Sequence, residues 1–163
     1  MKCGRLAAFH FHRRTSRLEA SASPKSRKNS MKQEQLIQEA ITARLSAYTP
    51  YSKFKVGAAL LGKDGRVFHG CNVENASYGL CNCAERTAFF SAVASGYKPG
   101  DFSAIAVVGD TEDPIAPCGA CRQVIIELGG PELEVILTNL KGDIKLTTAA
   151  KQLPDAFYLK PGA

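Results

Sequence analysis

The 163-residue chain contains no tryptophan, and it has no run of about 18 apolar residues, which is the minimum for a helix that crosses a membrane. Proteins that bind single-stranded nucleic acid stack its bases on aromatic side chains, so the absence of tryptophan counts against that class. Apolar residues make up 45% of the chain and charged residues 22%, which excludes a wholly disordered chain. The length suits one domain with its own core.

Acidic residues are almost absent from the first 30 positions. That segment has eight Lys and Arg against one acid, Glu19, for a net +7, whereas the other 133 residues have 13 bases and 14 acids, for a net −1. The whole basic excess of the chain, formally +6, therefore belongs to the N-terminal segment. We expect a disordered basic extension over residues 1–30 and a near-neutral folded domain over residues 31–163, without a nucleic-acid groove.

The composition of the extension is compatible with more than one role. It is rich in Arg and Ser, as organelle transit peptides are, and its charge also suits a nucleic-acid-binding arm. We interpret it as a solvated tail or as residues translated upstream of a true start at Met31. The apolar stretch of residues 6–11 is too short for a secretory signal, so we expect a reducing, cytoplasmic location.

The hydrophobic pattern after residue 30 predicts alternating helices and strands. Helices are predicted over 31–48, 83–95 and 118–128, and strands over 54–61, 66–73, 102–108, 134–138 and 143–147. The first two strands flank an Asp-Gly turn and form an antiparallel hairpin, whereas the strand–helix–strand unit over 102–138 implies parallel pairing. The expected fold class is therefore α/β, with a mixed sheet of about five strands and helices packed on it.

The cysteines form the most informative pattern in the chain. Cys118 and Cys121 make a C-x-x-C motif after Pro117, and Cys83-Ala-Glu85 lies 35 positions upstream. Together they match the signature of zinc-dependent deaminases, in which a His or Cys and a C-x-x-C motif bind Zn²⁺ while a Glu two residues after the first ligand acts as acid and base.

Each spacing in this pattern has a chemical reason. Cys83 begins one predicted helix, and Cys118 and Cys121 begin another, so two helix N-termini would favour thiolates at one metal. Three protein ligands leave the fourth tetrahedral position open, which is typical of catalytic zinc. Glu85 would then act as the acid and base, and Arg86 could donate hydrogen bonds to the sulfur ligands and offset their charge.

Two other interpretations of these cysteines are open from the residues alone. A closed structural site would use Cys81 or Cys71 as a fourth ligand and would make the protein a binding module rather than an enzyme. A thioredoxin-like dithiol at Cys118 and Cys121 would be a redox site. That dithiol would explain neither Cys83 nor Glu85.

Four motifs in order make the sequence similar to a known family. The segments 48–54 (Tyr-Thr-Pro-Tyr-Ser-Lys-Phe), 73–78 (Val-Glu-Asn-Ala-Ser-Tyr), 83–88 (Cys-Ala-Glu-Arg-Thr-Ala) and 117–123 (Pro-Cys-Gly-Ala-Cys-Arg-Gln) resemble the small homotetrameric cytidine deaminases over nearly all of residues 31–163. The resemblance implies a three-layer α/β/α fold with helices on both faces of the sheet. It also implies one Zn²⁺ per subunit, a nucleoside substrate rather than a nucleic acid or membrane partner, and sites shared between subunits of a homotetramer.

The resemblance also implies roles for residues that the pattern alone leaves ambiguous. Asn72 and Glu74 would bind the ribose 3′-hydroxyl, although by themselves they look like turn residues. Further substrate-contact positions are Phe54 near the pyrimidine ring, Ala84, Tyr78 at the boundary between subunits, and Phe157 in a neighbouring subunit's site. For Phe54 and Phe157 a plain core position is the alternative.

The implied reaction is hydrolytic deamination of cytidine and 2′-deoxycytidine. Glu85 would take a proton from water, pass it to ring N3 and later protonate the departing amine. Two other substrates are alternatives: a nucleoside antibiotic such as blasticidin S, and cytosine in a polynucleotide. The near-neutral charge of residues 31–163 argues against the polynucleotide.

Overall fold

A computed structural model describes residues 24–159 as a single five-stranded mixed sheet with helices on both faces. The strands are β1 (Val56–Gly62), β2 (Val67–Cys71), β3 (Phe102–Gly109), β4 (Glu134–Asn139) and β5 (Ile144–Thr148), and the helices are α1 (Pro24–Leu45), α2 (Ala84–Ala94), α3 (Gly119–Gly129) and α4 (Ala149–Gln152). Residues 1–23 of the predicted extension lie outside the described residues. None of the helices within 24–159 is long and apolar enough to cross a membrane.

The strand order is β2-β1-β3-β4-β5, and the pairing follows the predicted pattern. Strands β1 and β2 form the antiparallel hairpin, and β1 is also antiparallel to β3. Strands β3 and β4 are parallel and are joined through α3, while β5 returns antiparallel to β4. The predicted crossover unit and the mixed sheet are therefore confirmed.

The sheet is covered on both faces because its central strands are apolar throughout. On one face α1 packs Leu36, Ile37 and Ala40 against small strand residues such as Ala59 and Ala106. On the other face α2 and α3 pack against the alternate strand positions, and the cluster there includes Ala58, Leu60, Phe89, Ile105, Cys121, Ile125 and Val135. This second face is the one that places the starts of α2 and α3 close together.

The observed elements differ from the predicted ones chiefly at both ends of α1 and at two short elements. Helix α1 begins at Pro24 rather than at residue 31, and a proline suits a first helical position because that position needs no N–H donor. The same helix ends at Leu45 rather than at Tyr48, whose N–H donates to the carbonyl of Asn72 at 3.1 Å and so joins the edge of the sheet. Helix α4 and a 3₁₀ turn over Tyr78–Leu80 were not predicted, because elements of three or four residues show no periodicity.

Gly70 of β2 determines how closely α2 approaches the sheet. A Cβ atom at this position would lie 2.1 Å from the carbonyl oxygen of Ala84 and 2.5 Å from the amide nitrogen of Ala88. The first turn of α2 can therefore lie on β2 only where the strand has no side chain. Both groups belong to the backbone of α2, so the clash could be relieved only if the whole helix moved.

We expect Gly70→Ala to lower the free energy of unfolding by about 1–3 kcal/mol, the range for overpacking a well-packed interior. Urea denaturation followed by circular dichroism measures this change. Gly79→Ala is the matched control, because a Cβ atom there has no neighbour within 4 Å. Equal unfolding midpoints for Gly70→Ala and the wild type would contradict the expectation.

Candidate active site

Three cysteines from two helix starts form one sulfur cluster. Cys83 is the N-cap residue of α2, Cys118 is the N-cap residue of α3, and Cys121 lies three residues further along, within the first turn of α3. Their Sγ atoms all lie within 4.8 Å of one another, and those of Cys83 and Cys118 are 3.9 Å apart. The positive ends of two helix dipoles therefore meet at the three predicted metal ligands.

The spacing and chemistry of the cluster fit zinc. A tetrahedral Zn²⁺ with Zn–S bonds of about 2.3 Å requires sulfur atoms about 3.8 Å apart. The 3.9 Å separation of the Cys83 and Cys118 sulfurs already matches this value. Soft thiolate ligands select zinc over the harder cations that prefer oxygen. These residues therefore suit a three-sulfur zinc site with one open coordination position.

Neighbouring groups prepare one of the sulfurs as a thiolate. A hydrogen bond from the Cys121 thiol and the nearby guanidinium of Arg86 hold the pKa of Cys83 at about 5, against the effect of burial. The same hydrogen bond to Cys83, together with burial, raises the pKa of Cys121. One ligand is thus ionised at neutral pH, and the remaining protons would leave when a metal binds.

Arg86 lies beside the cluster, on the third residue of α2. Its Nη2 atom donates to the Sγ atom of Cys83 at 3.5 Å and to the carbonyl oxygen of Cys81 at 3.2 Å. The interaction with Cys83 raises the pKa of the guanidinium, so its charge is permanent. This is the contact expected from the sequence, and its effect on a bound metal stays a prediction.

Glu85 is the buried carboxyl group of the site. It is the second residue of α2 and is only 4% exposed. Burial raises the pKa of its carboxyl group above the ordinary value for glutamate. Ala84, which precedes it, is fully buried. A carboxyl group that is easily protonated next to a metal site is suited to accept and return a proton.

The other cysteines that the structure describes lie outside the cluster. The Sγ atom of Cys81 accepts from the amide of Asn75 at 3.3 Å and faces the carbonyl of that residue at 3.6 Å. Cys71 is half-buried in β2. The three-sulfur group includes neither of them, which argues against a closed four-cysteine site. The presence of Cys83 beside Cys118 and Cys121 likewise argues against a simple dithiol.

Asn72 and Glu74 bind the segment over residues 51–56. The side chain of Asn72 accepts from the amide of Val56 and donates to the carbonyl of Phe54, both at 2.8 Å. The carboxylate of Glu74 accepts from the amides of Tyr51, at 2.9 Å, and Ser52, at 3.2 Å, and also from the Ser52 hydroxyl. These hydrogen bonds, the one from the hydroxyl foremost, lower the pKa of Glu74.

Val73, which lies between these two residues, links them to the metal cluster. Val73 and Asn82 exchange backbone hydrogen bonds of 2.9 and 3.0 Å, and Asn82 immediately precedes Cys83. The side chain of Asn82 also donates to the hydroxyl of Thr87 in α2 at 3.0 Å. Sequence reasoning missed Asn82 and the Ser52 hydroxyl, although both lie within or next to the motifs. Their positions within or next to those motifs are the signal that could have identified them.

The three aromatic candidates are exposed in the single chain. Phe54 is 39% exposed, Tyr78 75% and Phe157 67%, so none of them is a core residue. The ring of Tyr78 packs edge-on against Tyr51, with 6.2 Å between centroids. The carbonyl of Phe157 accepts from the side chain of Gln123 in α3 at 2.8 Å. The alternative of a plain core position for Phe54 and Phe157 is therefore wrong.

Comparisons of the sequence with known proteins agree with this geometry. Residues 30–137 match the sequence model described as "Cytidine and deoxycytidylate deaminase zinc-binding region". A cytidine deaminase of Sporosarcina psychrophila is 61% identical over 124 residues, which are 76% of this chain and 90% of that protein. A cytidine deaminase of Halalkalibacterium halodurans is 58% identical over 127 residues, covering 78% and 95%.

Solved structures give the same result. The crystal structure of a cytidine deaminase from Burkholderia pseudomallei matches with a TM-score of 0.76 and 71% identity, covering 76% of this chain and 98% of that one. That of a cytidine deaminase from Mycobacterium tuberculosis matches with a TM-score of 0.66 and 42% identity, covering 77% and 97%. The three-layer α/β fold is thereby confirmed. The region matched by the family model contains Cys83, Glu85, Cys118 and Cys121.

Proposed function

The chain belongs to the cytidine and deoxycytidylate deaminase family, and from this premise we propose that it deaminates free cytidine and 2′-deoxycytidine by hydrolysis, releasing uridine or deoxyuridine and ammonia. The observation on which this proposal depends is the buried carboxyl group of Glu85 next to a cluster of three cysteine sulfurs. That arrangement combines a zinc site with a proton carrier. A hydrolytic deamination needs both.

Cys83, Cys118 and Cys121 would hold one Zn²⁺ per subunit. When bound, zinc lowers the pKa of water and so supplies a nucleophile at neutral pH. Three thiolates would leave the site with a net charge of −1, which weakens this effect. The guanidinium of Arg86, 3.5 Å from the Cys83 sulfur, offsets part of that charge.

Glu85 moves the protons of the reaction. Its carboxylate accepts a proton from the attacking water and delivers it to ring N3, which makes C4 of the pyrimidine electrophilic. After the water oxygen has bonded to C4, Glu85 transfers the second water proton to the exocyclic amine, and the C4–N bond breaks. Burial supports this role, because a raised pKa brings the carboxyl group closer to the operating pH.

The other predicted site residues would recognise the nucleoside. We assign the ribose 3′-hydroxyl to Asn72 and Glu74, the pyrimidine ring to Phe54, and contacts at the ring and the subunit boundary to Ala84, Tyr78 and Phe157. Support for the ribose contact comes from Glu74, whose pKa is lowered by the Ser52 hydroxyl so that it remains an ionised acceptor. Both side chains already bond the segment over residues 51–56, but an ionised carboxylate has about four acceptor sites, so we expect Glu74 to contribute more than Asn72.

Glu74→Gln is expected to raise KM for cytidine by roughly 10-fold or more with little change in kcat, because a hydrogen bond to a charged group is worth about 1.5–3 kcal/mol. Steady-state kinetics with cytidine and 3′-deoxycytidine measure the effect. The wild type should lose affinity for the analogue, and the variant should discriminate much less between the two compounds. Glu132→Gln, at an exposed position, is the control. Unchanged discrimination in Glu74→Gln would contradict the assignment.

The function itself is tested on the purified protein. Ammonia release is measured with cytidine, 2′-deoxycytidine, blasticidin S and cytosine in a single-stranded oligonucleotide. We expect release from the two nucleosides. If neither nucleoside is deaminated, the proposed function is wrong, and release from blasticidin S alone or from the oligonucleotide alone would identify the alternative.

We further propose a homotetramer in which neighbouring chains complete each site. The exposure of Tyr78 and Phe157, and of Phe90 and Val93 on the outer face of α2, supports such contacts. Light scattering measures the mass, and a fully active monomer would contradict the proposal.

The free thiols among the described residues favour the reducing cytoplasm as the location.

A further inference from the structure

Arg122 lies one residue after Cys121 in α3, and the predicted site gave it no role. Its Nε atom donates to the carbonyl oxygen of Pro117 at 2.8 Å, and its Nη1 atom donates to the carbonyl oxygen of Gln152 at 3.0 Å. The first carbonyl belongs to the residue immediately before Cys118. The second lies at the last residue of α4. One planar guanidinium therefore joins the metal-binding turn to the C-terminal part of the fold.

The backbone of Cys118 is anchored by its carbonyl, which accepts from the amide of Arg122 at 3.0 Å, but few contacts hold its side chain. Cys121 is fully buried, whereas the side chain of Cys118 is exposed and only the preceding Pro117 is packed in the interior. Cys118 is the N-cap residue of α3 in an extended conformation, and its side chain does not bond the helix. The position of its sulfur therefore depends on the orientation of the Pro117–Cys118 peptide unit, from which the side chain projects. Arg122 is the side chain that bonds the carbonyl of that unit.

The role differs from that of Arg86 on the other helix. Arg86 also bonds a carbonyl near a cysteine ligand, that of Cys81 two residues before Cys83, but it additionally donates to the sulfur of Cys83. The described hydrogen bonds of the Arg122 side chain go to backbone carbonyls alone. Its effect on the metal would therefore be one of position rather than of charge at the ligand.

The same helix turn also holds the segment that includes Phe157. Gln123, the next residue, donates from its side chain to the carbonyl of Phe157 at 2.8 Å. We propose that Arg122 is a positioning residue that fixes the Cys118 ligand and joins it to the C-terminal segment. This inference rests on the proposed function in one respect, namely that the sulfur cluster binds zinc.

The test compares Arg122→Met, Arg122→Lys and Arg44→Met in the full chain. Arg44 is a matched control, because its Nε atom also donates to a backbone carbonyl, that of Lys55 at 3.0 Å, away from the metal cluster. Zinc release to a chelator is timed, and the absorption spectrum of the cobalt-substituted protein reports the geometry of the ligands. Neither measurement needs turnover.

We expect Arg122→Met to release zinc about 10- to 100-fold faster than the wild type, the usual effect of losing a group that orients a ligand. Its sulfur-to-cobalt absorption should also shift. The Lys ammonium carries its three donors on one nitrogen and lacks the planar fork of Arg, so it cannot span both carbonyls, and Arg122→Lys should restore the rate only in part. Arg44→Met should match the wild type in both measurements.

Wild-type zinc release and cobalt spectra in Arg122→Met would overturn the proposal. If Arg122→Met does not fold, Arg122→Lys decides: faster release than the wild type supports the proposal, and an equal rate overturns it. Equal effects of Arg44→Met and Arg122→Met would also overturn it, because the effect would then be general destabilisation. A wild-type protein that binds cobalt but releases no ammonia from cytidine would instead refute the proposed function.

Discussion

Glu85→Gln is expected to lower kcat for cytidine by about 10²- to 10⁴-fold, the range for loss of a general acid and base. The amide of glutamine is nearly the same size as the carboxyl group, so the buried position at the start of α2 stays filled. An amide can neither take a proton from water nor return one to N3 and the amine. The chemical step should therefore slow, while the fold of the site stays intact.

The measurements for this variant must separate catalysis from metal binding. Zinc content by atomic absorption should equal that of the wild type, because Glu85 is not among the three clustered ligands. The affinity for cytidine, measured by equilibrium binding, should change much less than kcat. Glu132→Gln is again the control at an exposed carboxylate. Full activity in Glu85→Gln would refute the assigned proton transfers, whereas loss of zinc would assign Glu85 a structural role.

The parts of the fold that followed from the sequence are those with a long, regular pattern. The apolar strand over residues 102–108 and the helix over 83–95 were predicted within one residue at each end, as β3 (Phe102–Gly109) and α2 (Ala84–Ala94) show. Both are buried on more than one side, so their hydrophobic pattern depends little on the rest of the chain. The cysteine cluster could also be predicted, because its members lie at fixed positions at the starts of two regular helices.

The ends of α1 and the short elements could not be predicted. Tyr48 leaves the helix because its N–H bonds the carbonyl of Asn72, a residue 24 positions away. Helix α4 forms where Thr148 caps it by accepting from the amide of Lys151. Such outcomes depend on which distant segment supplies a hydrogen-bond partner, and a local pattern does not contain that information.

The hydrogen bonds of Asn72 and Glu74 show the same limit within the site. The resemblance implied that both residues bind substrate, but it did not show that each also binds the segment before β1. Their side chains thus position that segment, and in the proposed function they also bind the ribose. The Ser52 hydroxyl belongs to the candidate site because it donates a hydrogen bond to Glu74. Tertiary contacts, rather than residue types, identified it.

Cys83→Ala is expected to lower zinc affinity by more than about 100-fold and to abolish measurable activity. Loss of a group that merely orients a ligand typically costs 10- to 100-fold in affinity, so loss of the ligand itself should cost more. Cys83 is also the sulfur whose pKa is lowered to about 5, so its removal takes away the thiolate that is present before metal binds. It leaves the guanidinium of Arg86 without its anionic partner.

The matched controls are Cys71→Ala and Cys81→Ala, which remove thiols outside the three-sulfur group. Both should retain one zinc per subunit and most of the activity, since three ligands and one open position are then intact. Loss of zinc in either control would restore the closed four-cysteine site, in which no position is free for water. Stoichiometric zinc in Cys83→Ala would refute the assigned ligand set, because Cys118 and Cys121 alone would then suffice. The pattern across the three variants therefore distinguishes a catalytic metal site from a structural one.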